Sequence, residues 1–369
     1  MLNLKRIPET QGWIQRIGEE AIRWHTFMPR MIDLEVSRVC NLECPACMRR
    51  AESSLAEIHK NDTLYCTLDR FREIHKEIPT IGSLNFMGDG EPLMNPELND
   101  IISYAAYKDI HTVLTTNATL LTQEKLNFFK NNKVYRIHTS IDAPEKELYE
   151  KMRVGAKWEK TLENLYKVGR SGIPFCINMV LTKQNIQMMP AMVQLCKDVG
   201  ATEITFLMPI CTYGDDREVR PDDDVRNRSI FALTQTACRD LGVKWIFPIT
   251  LNPTFRRFNF PFIRPQISIE GDVYACCYSL GRGKVWYEGY EYDVPDYNMG
   301  NMFKEGFKNI WYGEGFREIR RIYKETELTR FEVKPREYLL NLTREVMEHP
   351  TSKYDHCRIC LARWGMACS

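Results

Sequence analysis

From residue 31 onward the chain alternates short apolar runs with helix-length amphipathic segments, a rhythm that few folds accommodate. The runs are 31–36, 83–87, 112–114, 134–137, 175–180 and 203–207. Between them, segments 69–77, 97–107, 122–131, 158–170 and 188–198 carry apolar residues at three- and four-residue spacing. Strands joined by crossover helices pair in parallel with right-handed connections. Six such units fall short of the eight that close a barrel. The expected fold is therefore α/β, an open partial (β/α)6 barrel with ligands at the carboxyl ends of its strands.

The rhythm stops near residue 245. Pro248, Pro253, Pro261 and Pro265 punctuate a loop-rich stretch, and 267–274 reads as a hairpin around Glu270-Gly271-Asp272. Helices are expected near 302–325 and 334–348. Residues 1–30 form an amphipathic helical lead-in, with Trp13, Ile14, Ile17, Ala21, Ile22 and Trp24 near helical spacing. The expected division is thus 1–30, 31–245 and 246–369, the last a small α+β unit. Lys and Arg number 50 against 49 Asp and Glu, so a broad nucleic-acid surface is not expected. No apolar run approaches the roughly 20 residues that span a bilayer. The N-terminus has no signal-peptide apolar region, so the expected location is the cytoplasm.

Thirteen cysteines are many for such a chain, and the odd count argues against a disulfide framework. Cys40, Cys44 and Cys47 lie together, as do Cys276 with Cys277, and Cys357, Cys360 with Cys368. Cys66, Cys176, Cys196, Cys211 and Cys238 are scattered. Thiolates are soft ligands suited to iron–sulfur clusters. Three at C-x3-C-x2-C, directly after the first strand, leave one iron of a four-iron cluster without a protein ligand. That open iron can bind a small molecule through an amine and a carboxylate. A zinc site would want a fourth ligand, for which His59 is the close candidate.

Cys40-Asn41-Leu42-Glu43-Cys44-Pro45-Ala46-Cys47 resembles the radical S-adenosylmethionine (SAM) superfamily, and other segments extend the likeness over about 31–245. Gly88-Asp89-Gly90-Glu91-Pro92 is similar to that family's Gly-Gly-Glu-Pro segment, with Asp89 in place of a glycine. The resemblance assigns Glu91 and the adjacent backbone to the SAM amino group. It assigns Ser140 and Arg153 to the carboxylate and ribose, and the backbone of Val180 and Leu181 to adenine. Asn117 and Asp142 end the third and fourth strands where relatives carry matching segments. Ala46 departs from the usual aromatic residue, which weakens an adenine contact without touching cluster ligation. The implied cofactors are a 4Fe-4S cluster and SAM, with flavodoxin or ferredoxin as electron donor. The implied chemistry is reductive cleavage of SAM to methionine and a 5′-deoxyadenosyl radical, which abstracts hydrogen from a substrate.

Beyond residue 262 the chain resembles the SPASM/twitch extension of that superfamily. The likeness rests on Gly271 to Cys276, Gly300-Asn301, Ile310-Trp311, Phe316-Arg317 and Cys357-Arg358-Ile359-Cys360. The cysteine usual before the glycine is missing. The resemblance implies one auxiliary 4Fe-4S cluster, with Cys276, Cys357 and Cys360 as ligands. Cys368 is the preferred fourth ligand and Cys277 the alternative; a zinc ribbon would use the same residues.

The expected substrate is a small molecule or peptide, and the expected reaction an oxidation or another redox-assisted modification. About 30 residues precede the first strand, which lowers the case for a leader-dependent peptide. A redox-neutral epimerase, with a thiol returning hydrogen, is the alternative. Cys211, just after the sixth strand, is its best-placed donor; Cys66 and Cys238 are the others. A zinc-stabilised binding module without catalysis is the reading from another class. Trp286, Tyr287, Tyr290, Tyr292 and Tyr297 are candidates to line a pocket, while His111 and His138 read as barrel residues.

Overall fold

The computed structural model describes residues 27–47, 49, 63–209, 216–221, 225–247, 264–275, 284–287, 290–293 and 298–327. Seven strands run parallel in sequence order: β1 (Met31–Glu35), β2 (Ser83–Met87), β3 (His111–Thr116), β4 (Val134–Ser140), β5 (Phe175–Val180), β6 (Glu203–Leu207) and β7 (Lys244–Ile246). Crossover helices return the chain each time: α1 (Leu68–Glu77), α2 (Leu98–Tyr107), α3 (Gln123–Asn131), α4 (Lys146–Met152), α5 (Trp158–Ser171), α6 (Met189–Val199) and α7 (Val225–Leu241). Thr67 and Thr122 cap α1 and α3, accepting from the backbone N–H groups of Arg70 and Lys125. The expected partial α/β barrel is the fold observed. β7 is a strand beyond the six read from sequence. At three residues it is too short to show a period, and it rides the edge of the sheet.

Side-chain alternation divides the sheet into two unlike faces. Ile32, Leu34, Leu84, Phe86, Leu114, Ile137, Ile177, Met179, Ile204 and Phe206 are buried in the core cluster. Each is worth about 1.5–3 kcal/mol when fully removed from water. The other face is polar. Asn85 donates to Asp33 at 2.9 Å, Arg136 pairs with Glu203 at 3.1 Å, and the Cys176 thiol lies 3.7 Å from the Thr205 hydroxyl. His138 and Asn178 belong to the same face. Burying these groups without partners would be costly, and on this face they pair with one another: Asp33, Cys176 and Thr205 are buried, while Asn85, Arg136, His138 and Asn178 are half-buried.

The chain then crosses to the other edge of the same sheet. β8 (Gln266–Ile267) runs parallel to β1 and turns into β9 (Asp272–Tyr274), confirming the hairpin around Gly271. Gly271 has φ +86°, and a Cβ there would sit 2.2 Å from the Phe303 ring, so the turn requires glycine. β10 (Lys284–Tyr287) and β11 (Tyr290–Asp293) form a separate antiparallel pair. β12 (Asn298–Asn301) adds outside β9. Three helices come next: α8 (Met302–Glu305), α9 (Phe307–Trp311) and α10 (Glu314–Glu327), in the region where helix was expected. Among the described residues, no helix is long and apolar enough to cross a membrane.

Candidate active site

The segment after β1 is fixed before it reaches its first cysteine. The Gly90 N–H donates to the Ser37 carbonyl at 3.0 Å, and Glu91 N–H to the Val39 carbonyl at 2.8 Å. A Cβ on Gly90 would fall 2.4 Å from the Val39 carbonyl oxygen, so only glycine permits this docking. Gly88 and Asp89 lie in the same loop after β2, both half-buried. The cysteine loop comes directly afterwards in space. Leu42 is buried beneath it, Glu43 N–H donates to the Val154 carbonyl at 2.9 Å, and Cys47 N–H to the Cys44 carbonyl at 3.1 Å. Cys40, Cys44 and Cys47 are all half-exposed free thiols. Burial raises the Cys44 thiol above its ordinary range, opposed by the neighbouring Arg153 guanidinium. Burial raises Cys47 as well.

Three strand ends converge on this loop. After β3, the Asn117 side chain donates to the side-chain oxygen of Asn41 at 3.0 Å, and its amide nitrogen lies 4.0 Å from the Cys40 sulfur. After β4, Asp142 binds two groups at once: it accepts from Arg153 at 2.6 Å and from the Val180 N–H at 2.9 Å. Arg153 ends α4 and reaches back to Cys44, and the Asp142 carboxylate holds it charged against the cost of burial. Ser140 is half-exposed at the end of β4, on the polar face.

Two residues stand differently from what their motifs suggest. The Glu91 carboxylate is 3 % exposed and already accepts from Leu93 N–H, the Thr116 hydroxyl at 2.6 Å and Asn117 N–H at 2.7 Å. It caps the short helical turn Pro92–Met94 and welds the β2 loop to the β3 loop. Burial raises its pKa, and the three donors oppose that. Leu181 is fully buried, with its N–H donated to the Leu207 carbonyl at 2.7 Å. Ala46 is exposed.

Sequence reasoning missed Asn185. Fully buried, its amide nitrogen donates to the carbonyls of Asp142 and Val180, each at 2.8 Å, while its oxygen accepts from Thr182 N–H at 2.7 Å. One side chain thus sets the spacing of the β4 and β5 ends. In sequence it is an ordinary polar turn residue; only an asparagine a few positions past a strand end, where two loops must be spaced, hints at the role.

Cys66 and Cys238 are fully buried in the hydrophobic core, their thiols pushed up to about 12 and about 11. Cys176 occupies the polar face beside His138, also buried and pushed up to about 12. His111 is exposed and lies against Tyr135. Cys211, Cys276, Cys277, Cys357, Cys360, Cys368 and Tyr297 lie outside the described residues, as do the side chains of Trp286, Tyr287, Tyr290 and Tyr292.

Residues 34–196 match the Radical SAM superfamily, and residues 260–334 match SPASM, an iron–sulfur cluster-binding domain. The chain is a radical SAM enzyme. It carries a C-terminal SPASM domain. It is 28 % identical to the AdoMet-dependent heme synthase of Methanosarcina barkeri over 318 residues, 80 % of this chain and 86 % of that one. It is 26 % identical to a PqqA peptide cyclase of Bradyrhizobium diazoefficiens, over 48 % of this chain and 46 % of that protein, under half its length. Streptococcus suis SuiB bound to S-adenosylmethionine shares the fold, with a TM-score of 0.63 at 16 % identity, over 87 % of this chain and 75 % of that one.

The cofactors of these domains are a 4Fe-4S cluster with SAM, and auxiliary iron–sulfur clusters in the SPASM domain. The donor set of the cysteine loop fits the first: three thiols on one loop with soft ligand character and a guanidinium beside them. Among the described residues, no three His, Cys, Asp or Glu side chains gather closely enough for a single metal ion.

Proposed function

We propose that Cys40, Cys44 and Cys47 hold the first cluster and that SAM lies across the ends of β3, β4 and β5. The cluster, when bound and reduced, supplies the electron that cleaves the sulfonium and yields the hydrogen-abstracting radical. The observation that supports this most is the convergence of Asn117, the Arg153–Asp142 pair and Val180 on the cysteine loop. Arg153 is suited to an anionic group of SAM, since its guanidinium offers N–H donors beyond the one given to Asp142. With the Glu91 carboxylate occupied by three donors, we assign the SAM ammonium to the backbone of Gly88, Asp89 and Gly90, with Glu91 shaping that loop. Ser140 lies two residues before Asp142 and is assigned to the SAM ribose or carboxylate; Val180 is assigned to adenine, with the buried Leu181 behind it.

The substrate, a small molecule or peptide, sits on the polar face below, where Asn85, His138 and Asn178 offer neutral hydrogen-bonding groups. A heme synthase and a peptide cyclase among the relatives support that breadth. The reaction we favour is an oxidation or other redox-assisted change, with an auxiliary cluster held by Cys276, Cys357, Cys360 and Cys368 or Cys277. Flavodoxin or ferredoxin supplies electrons in the cytoplasm, and the segments 1–30, 31–245 and 246–369 act as lead-in, barrel and auxiliary domain. Epimerisation with Cys211 as donor is the competing reaction.

Anaerobically reconstituted protein should contain iron, bind SAM and form 5′-deoxyadenosine on reduction. Cys40→Ala should abolish that product; retention would overturn the ligand assignment. In deuterated water an oxidation leaves no solvent deuterium at the attacked carbon, whereas incorporation there selects epimerisation.

A further inference from the structure

Arg38 lies two residues before Cys40 and is 4 % exposed. Its guanidinium binds two carboxylates from distant parts of the chain. Toward Glu35, at the end of β1, the contacts are 3.1 and 2.9 Å. Toward Glu270, in the turn between β8 and β9, it makes a second bidentate pair. Glu35 also accepts from the Ile269 N–H of that turn at 3.2 Å. The Glu270 carbonyl accepts from Asn301 at 2.8 Å, which ties the turn to β12.

The backbone of Arg38 is engaged equally. Its N–H donates to the Leu64 carbonyl at 3.0 Å, and its carbonyl accepts from Arg49, two residues past Cys47, at 3.1 Å. Arg49 and Arg38 thereby close the cysteine loop into a ring, and Glu270 holds the ring at its base. Burial alone would lower the Arg38 pKa, but Glu35 and then Glu270 outweigh it and keep the side chain charged. A guanidinium in that setting does not exchange partners cheaply.

We infer that Arg38 is a positioning residue through which the SPASM turn at Glu270 helps set the cysteine loop for SAM. This rests on the reading of Cys40, Cys44 and Cys47 as the SAM-binding cluster's ligands. Coupling between two regions is reciprocal: what the turn lends to SAM binding, SAM binding returns to the turn.

The test uses full-length reconstituted protein and SAM itself as probe. Wild type should bind SAM, and SAM should slow amide hydrogen exchange across 268–275. Glu270→Gln removes the charge at nearly constant shape. It should weaken SAM binding about tenfold, within the usual range of such couplings. It should also abolish the SAM-induced protection and shift the electron paramagnetic resonance signal of the reduced, SAM-bound first cluster. Asp272→Asn is the control: Asp272 sits on the same hairpin and accepts from Asn301 but does not touch Arg38. It should leave all three readouts unchanged. Should Glu270→Gln fail to accumulate, Glu270→Asp, a methylene shorter, supplies the comparison. Glu270 variants within about twofold of wild type and with protection intact would overturn the coupling. A wild type without SAM affinity would instead overturn the reading of the cysteine loop.

Discussion

Two regions of this sheet are held by different physics. On the β3–β5 side, apart from the Arg153–Asp142 ion pair, the site is assembled from neighbouring loops by neutral and charge-assisted hydrogen bonds: Glu91 to Thr116 and Asn117, Asn185 to Asp142 and Val180. On the β8 side, the C-terminal hairpin is riveted to β1 by ion pairs between residues more than two hundred positions apart, Arg264 to Asp33 and Glu270 to Arg38. Hydrogen-bonded loops tolerate small adjustments, whereas a buried ion pair does not survive loss of one partner. The β8 side should therefore fail abruptly and the β3–β5 side, away from Arg153 and Asp142, by degrees.

The largest effect is expected at Arg264, which donates to Asp33 at 2.7 and 2.6 Å. Burial already raises the Asp33 carboxyl, and Arg264 is the chief group opposing it. Arg264→Ala strands a carboxylate that is 1 % exposed, and should cost about 3–5 kcal/mol in denaturant unfolding. Asp33→Asn in the same chain should recover a large part. If the double variant is no more stable than the single one, the loss comes from packing, and the contrast between the two sides weakens.

Gly90→Ala comes next, because it strikes the point where the β2 loop meets the backbone ahead of Cys40. The intruding Cβ meets backbone that cannot swing aside. A cost of about 2–3 kcal/mol is expected from overpacking, together with lower iron content after reconstitution. Wild-type iron content would show that the cysteine loop does not depend on this docking.

Legibility in the sequence divides along the same line. The strand–helix rhythm, the three-cysteine loop and the hairpin at Gly271 are local patterns, and each can be read within a few residues. Asn185 and Arg38 are not local. Thr182-Lys183-Gln184-Asn185 reads as a solvated turn, and Arg38 as a charge beside a strand. Their importance comes from carbonyls and carboxylates that only the folded chain brings near. Glu91 shows the reverse: its motif is plain in sequence, but its partners Thr116 and Asn117 reveal that the carboxylate is already spoken for. β7 escaped because three edge residues leave no period to detect.

Asn185→Ala probes the gradual side. It removes the donor to two buried carbonyls, worth about 1–3 kcal/mol in unfolding. It should also raise the dissociation constant for SAM at temperatures where the variant remains folded. Ser171→Ala, which loses hydrogen bonds at the far end of α5, should lower stability without changing SAM affinity. Equal SAM binding by Asn185→Ala and wild type would mean that the spacing of the β4 and β5 ends does not matter to the ligand.

The smallest effect concerns pH and the wall between the two sides. His138 is half-buried on the polar face of β4. Burial holds its pKa below 6.5; the Asn178 hydrogen bond and Glu203 oppose this, while Arg136 and Arg264 reinforce it. Below 6.5 the unfolded chain takes up a proton that the folded chain resists, so this residue's contribution to stability shrinks as pH falls from about 7. The loss is limited to about 1.4 kcal/mol for each unit by which the pKa is depressed. His138→Asn removes the titration while keeping a polar side chain, so its unfolding free energy should vary less with pH than that of wild type. Parallel profiles for the two proteins would place His138 in free exchange with water, and the polar face would then be more open than its ion pairs imply.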